Sequence, residues 1–225
     1  MTRINQHSEP PAASRWRGRA IVLLATLAVA ALAACSQPPV PRDQFYRLGS
    51  GLPQQALPST PLDGTLTVAR LRADGLISQR PILFATREQP NRLEQHNYHY
   101  WFESPPIMLR DALIDYLRAG NFATTVVGDQ DRREGGCELT GTLRRIEHVT
   151  TGGEPSVAVV EIEFLLRRVA NDSVLLHRTY RAEQTAADLT MDSTVNAFDQ
   201  AVGALFARLL KEAGATSTDC PLRRR

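Results

Sequence analysis

The stretch SVAVVEIEFLLRRV, residues Ser156–Val169, decides the fold. Ala158, Val160, Ile162, Phe164 and Leu166 point one way; Glu161, Glu163 and Arg167 point the other. Apolar and polar residues alternating over this length mark a strand with one buried face. A turn at Ala170–Ser173, holding Asn171 and Asp172, leads to a partner strand, Val174–Glu183. Upstream, Thr151–Pro155 is a turn and Glu138–Val149 a further strand. Leu139 and Leu143 share one phase there and Ile146 takes the other, which predicts a bulge between them. The middle of the chain is therefore an antiparallel meander.

Working outward, two helices flank this meander. Ser104 stands at a capping position and Pro105 at the first helical position, where a missing N–H costs nothing. Leu109, Leu113, Tyr116 and Leu117 then share a face, and Gly120 is expected to end the helix as a left-handed cap. The second helix runs from about Ser193 to Ala213, with a stripe of Val195, Phe198, Val202, Leu205, Phe206 and Leu209, and Gly214 closes it. Shorter strands are expected at Gln44–Leu48, Thr65–Leu71, Pro81–Thr86, Leu93–Trp101 and Phe122–Val127, with loops at Gly49–Gly64 and Asp129–Gly136. The fold class is α/β (α+β): one domain, a largely antiparallel sheet with two helices packed on one face.

The first 34 residues are of a different kind. Arg3, Arg15, Arg17 and Arg19 precede the uncharged run AIVLLATLAVAALAA, Ala20–Ala34. The run is shorter than the ~20 residues that span a bilayer, and a basic segment before a short apolar one is a secretory signal pattern. Leu32-Ala33-Ala34-Cys35 resembles the lipobox of bacterial lipoproteins. That resemblance implies cleavage before Cys35, a diacylglycerol on its sulfur and an acyl group on its new amine, with no other cofactor. Two or more acyl chains anchor stably. Ser36, where an aspartate would imply retention at the inner membrane, implies the outer membrane. Ser36–Arg42, with Pro38, Pro39 and Pro41, is a stiff tether of about 3 Å per residue. The organisation expected is residues 1–34 signal, 35–42 lipidated cysteine and tether, and 43–225 the folded domain.

With the signal removed, the charge balance is 22 basic to 23 acidic residues, so the positive net charge belongs to the signal. A near-neutral domain lacks the basic face that nucleic acid requires. Cys137 and Cys220 remain, an even number in a compartment where disulfides persist. They either pair, tying the C-terminal tail to the sheet, or stay as two thiols.

The segment Tyr100-Trp101-Phe102-Glu103-Ser104-Pro105-Pro106 resembles the Y/W-x-E/S-P-P signature of the ABC-type transport auxiliary lipoproteins, the PqiC-like family. Other pieces stand in the family's order: Phe45-Tyr46-x-Leu48, Val68-x-Arg70-Leu71, Gly75-Leu76-x-x-x-Arg80-Pro81-Ile82, Gly120-x-Phe122-x-x-Val126-Val127, Leu139-x-Gly141-x-Leu143 and Asn196-Ala197-Phe198. Phe102 departs from the pattern, which more usually has a small residue there. The resemblance implies an accessory of a transporter with a separate ATPase and permease and a periplasmic MCE-domain partner. It implies movement of phospholipid or another hydrophobic molecule, with this chain as tether or docking port, and a homo-oligomer suits such a port. The alternative kept open is an outer-membrane assembly or structural lipoprotein.

No catalytic residues are expected. The chain has no G-x-S-x-G, no Walker sequence and no G-x-G-x-x-G, and Cys137 has no evident histidine partner. Tyr100, Trp101, Pro105 and Pro106 are candidate contacts to a partner or lipid; the simpler reading packs the aromatics, Tyr98 included, under the first helix. His96 and His99 form H-x-x-H, but a strand would turn them to opposite faces, so no metal site is expected. Asp129, Asp131 and Glu134 lack the spacing of a calcium loop and read as solvated. Arg223–Arg225 is a short solvated tail.

Overall fold

The computed structural model describes residues 40–49, 51–131, 135–215 and 218–220. The signal segment, Cys35, Ser36, Glu134 and the Arg223–Arg225 tail lie outside the described residues. Residues Asp43–Arg225 form one compact unit. Its strands are β1 (Gln44–Tyr46), β2 (Leu62–Val68), β3 (Pro81–Thr86), β4 (Gln89–Trp101), β5 (Ala123–Gly128), β6 (Cys137–Thr151), β7 (Glu154–Arg168), β8 (Ser173–Thr185) and β9 (Thr218–Cys220). The helices are α1 (Pro105–Ala119) and α2 (Met191–Gly214).

The meander is β6–β7–β8, antiparallel throughout. Ala158, Val160, Ile162, Phe164 and Leu166 are fully buried beneath α2, the four larger side chains contributing about 1.5–3 kcal/mol each. The pairing register shifts between Leu143 and Arg145. Leu139 and Leu143 before the shift and Ile146 and His148 after it are all buried. The bulge thus returns both halves of β6 to the core despite their opposite sequence phase.

The other edge of β6 is shared. β2 pairs with its first residues and β3 with its last, both in parallel. β2 also takes β5 and β9 in parallel, β3 takes β4 antiparallel, and β4 takes β1 in parallel. The long ladders are antiparallel and the short ones parallel, giving a mixed sheet. Both helices and the sheet close on one apolar core that includes Trp101, Phe122, Phe164, Phe198 and Phe206.

Helix ends depart from expectation in three places. Ser104 occupies the capping position of α1, but its hydroxyl is buried without a hydrogen-bond partner. The cause is local: Pro106 has no N–H, and the Ile107 N–H donates to the Ser104 carbonyl at 3.0 Å. Gly120 is right-handed; Asn121, at φ 55°, is the left-handed residue, and the Phe122 N–H closes back on the Leu117 carbonyl at 3.1 Å. Gly120 instead lies close against α2, where a Cβ would come within 2.9 Å of the Leu210 methyl groups, which would have to shift. The second helix begins at Met191, because the Thr190 hydroxyl accepts from the Ser193 N–H, and Gly214 lies inside it before Ala215.

Candidate functional site

β1 lies along the end of β4, with Phe45 opposite Tyr100 and Tyr46 opposite Trp101. Pleating sends these pairs to opposite faces. The inner pair meets the core. Trp101 is 1% exposed and packs edge-on against Phe198 of α2, with ring centroids 5.3 Å apart. Trp101 thus packs against the second helix. Pro105 and Pro106 are buried as well. Trp101, Pro105 and Pro106 thus serve packing in this domain, and of the four candidate contact residues only Tyr100 stays partly open.

The outer face carries side chains of another kind. Phe45 and Phe102 are 53% and 52% exposed. The Phe45 and Tyr100 rings are 5.8 Å apart. Arg47 lies over the Phe102 ring at 4.6 Å and Arg80 over Phe45 at 5.1 Å. The Arg80 Nε–H donates to the Trp101 carbonyl at 3.1 Å, which fixes that guanidinium.

A histidine cluster lies at the same end of the sheet. Tyr98 adopts φ 64° within β4, which breaks the alternation. His96 and His99 therefore do not point to opposite faces; their rings meet edge-on, with centroids 5.8 Å apart. His96 stacks on His148 of β6, and their Nε2 atoms are 2.7 Å apart. Burial, reinforced by each one's histidine neighbour, pushes His148 down to about 3 and His96 to about 4. Both are neutral near pH 7. One Nε2 then carries the shared proton; His148 Nδ1 is buried without a partner. The Tyr46 hydroxyl donates to Gln44 at 2.7 Å and sits 3.0 Å from His99 Nδ1. Nothing in the sequence spacing linked His148 to His96. Among the described residues, no group of three or more histidine, cysteine, aspartate or glutamate side chains is placed to hold a metal.

A cleft of about 1370 Å³ runs along α2 beneath the Gly51–Pro58 segment. Its floor includes Gly203, Ala204 and Ala207, with Asp199 and Lys211 on its lining. The Gly49 N–H donates to Asp199 at 2.9 Å; burial outweighs that bond and raises the Asp199 carboxyl to about 6.

Cys137 and Cys220 form a disulfide, with Cα atoms 5.1 Å apart. β2 explains the meeting: Cys220 pairs with Gly64 and Cys137 with Leu66, side by side along one strand. Gly64, at φ 119°, is required there, since a Cβ would meet the Cys220 carbonyl oxygen at 2.1 Å. Asp129, expected to be solvated, is held by Arg110 at 2.9 Å. On the outer face of the meander, Glu163 binds Arg144 and His177, and Arg167 binds Glu138.

No curated protein is similar enough in sequence to count as a relative. Protein XCC0632 from Xanthomonas campestris, known from a crystal structure, matches with a TM-score of 0.66 at 19% identity, covering 77% of this chain and 96% of its own. A second solved structure matches with a TM-score of 0.60 at 17% identity, covering 76% of this chain and 99% of its own. At these identities the likeness shows a common fold. The sequence itself matches the model of the ABC-type transport auxiliary lipoprotein component over residues 46–209, from β1 into the last turns of α2. The chain belongs to that family.

Proposed function

We propose that this protein is the outer-membrane-anchored accessory of an ABC-type envelope transporter that moves phospholipid or another hydrophobic molecule between the two membranes. It contributes docking and tethering and no catalysis. Cys35 carries the lipid, Ser36 directs the chain to the outer membrane, and residues 36–42 are the tether. An MCE-domain protein is the periplasmic partner, and the ATPase and permease are separate chains.

The observation that carries this reading is the family match across the folded domain, residues 46–209. The L-A-A-C sequence ending at Cys35 supports the anchor. The transporter's energy must come from another subunit, since the chain lacks a Walker sequence.

The test is native extraction of membranes from the source organism in mild detergent, with the full chain tagged at its C-terminus. An MCE-domain protein, an ATPase and a permease should co-purify, and density-gradient fractionation should place the chain with outer membrane. Recovery of outer-membrane β-barrel assembly proteins in their place would overturn the transport reading. A Cys35→Ala variant should remain unprocessed.

A further inference from the structure

We propose that the outer face of β1 and the end of β4 is the surface on which the domain rests against an anionic bilayer. The face comprises Phe45, Tyr100 and Phe102, with Arg47 and Arg80 lying over the two phenylalanines. This inference rests on the lipid-anchor reading of Cys35.

Three observations point the same way. First, outward positions of a strand with a buried inner face are normally polar. Here the inner positions are taken by Tyr46 and Trp101, yet the outward ones are Phe45, Tyr100 and Phe102. Two phenylalanines more than half exposed lie on one small face. Second, each phenylalanine carries a guanidinium, Arg80 at 5.1 Å and Arg47 at 4.6 Å. Aromatic rings beside cations match a headgroup layer, where the ring enters the acyl boundary and the cation meets phosphate. Asp43 and Glu103 flank the face in sequence and offset part of its charge. The apolar contact therefore supplies the larger share and the arginines supply orientation.

Third, the tether puts this face within reach. β1 begins at Gln44 and the lipidated residue is Cys35. The intervening segment spans about 3.5 Å per residue at most, so the strand is held within about 30 Å of the membrane surface. Tethering at that length gives an effective concentration of about millimolar order. A patch too weak to recruit a free protein is then enough to orient an anchored one. The opposite end of the sheet is far away. Val174 pairs with Arg167 and Arg167 with Glu138, whereas Tyr100 pairs with Pro81, three residues before the Phe84–His148 pair and so about level with Arg145. That separation is about 23 Å along the strands at the usual rise, and β8 lies five strands across the sheet from β1.

The experiment uses the full lipidated chain in vesicles of phosphatidylethanolamine and phosphatidylglycerol. A fluorophore is placed through Phe45→Cys or, separately, Phe102→Cys, so each variant keeps the other ring. Val174→Cys is the control. Quenching by headgroup-labelled nitroxide lipid should be several-fold stronger at 45 and 102 than at 174. Arg47→Glu with Arg80→Glu should weaken it, as should replacing the anionic lipid with phosphatidylcholine. A chain that floats with vesicles but is quenched equally at all three positions would overturn the seating and leave the anchor intact. A chain that does not float would remove the anchor and the seating together. Protection at 45 and 102 only after adding a protein partner would assign the face to that partner and overturn the proposal.

Discussion

Replacing both Cys137 and Cys220 with alanine should destabilise the domain by about 4.5 kcal/mol at 25 °C. The bridge joins residues separated by 83 positions. In the chain-entropy treatment, a cross-link closing a loop of that length removes about 15 cal/mol/K from the unfolded ensemble, hence the figure above. A domain of this size loses about 2–4 °C of melting temperature per kcal/mol. The double variant should thus melt about 10–18 °C below the parent. Both cysteines are fully buried, but alanine is nearly as small, so the packing loss adds little. The assay is thermal melting followed by circular dichroism, on protein secreted without reductant, with urea titration alongside. The midpoint should fall; so should the parent's when reductant is added. A double variant melting within about 3 °C of the parent would refute the reasoning. So would two titratable thiols in the unreduced native protein.

Other perturbations probe the packing and the charges. Trp101→Ala removes a 1%-exposed ring packed on Phe198 and should cost about 3–5 kcal/mol, read as a lower urea midpoint. Arg167→Ala takes away the guanidinium 2.5 Å from Glu138, whose side chain is 5% exposed, and should cost about 1–2 kcal/mol, also by urea titration. Gly64→Ala should release β9, because its Cβ would collide with the Cys220 carbonyl; faster amide exchange in Thr218–Cys220 is the measurement. The histidine pair sets an acid limit. His148 and His96 hold pKa values of about 3 and about 4 in the fold against 6.5 outside it. The unfolded chain therefore takes protons first, so this stability is complete above pH 6.5 and drains away as pH falls toward 3. Asp199, raised from 3.8 to about 6, acts oppositely, losing stability as pH rises between those values. His148→Phe should narrow the gap between urea midpoints at pH 7.5 and pH 5; an unchanged gap would refute the assignment.

The meander was legible because Ser156–Val169 alternates without interruption, and because the phase change between Leu143 and Ile146 has only one structural meaning in a strand that stays buried. The helices were legible from their apolar stripes, but their ends were not. Whether Ser104 caps depends on Pro106 lacking an N–H, and whether Gly120 must be left-handed depends on Asn121 being able to take that role. Gly120 instead lies against Leu210, a residue 90 positions away. The signature Tyr100–Pro106 rests on resemblance, but strand pleat and the helix start divide its residues. Trp101 and the prolines turn inward, while Tyr100 and Phe102 remain outside beside Phe45.

By itself, the sequence determined the α/β class, the antiparallel meander, the two helices and the family. All of these rest on local periodicity and ordered motifs, which survive without knowledge of distant neighbours. Tertiary structure alone decided the parallel pairings of β2, the meeting of Cys137 with Cys220 along it, the His96–His148 contact and the arginines over Phe45 and Phe102. Each joins residues far apart in the chain. No period in a sequence encodes which strand lies beside which, since that is fixed by how the buried faces of the whole chain close on one core.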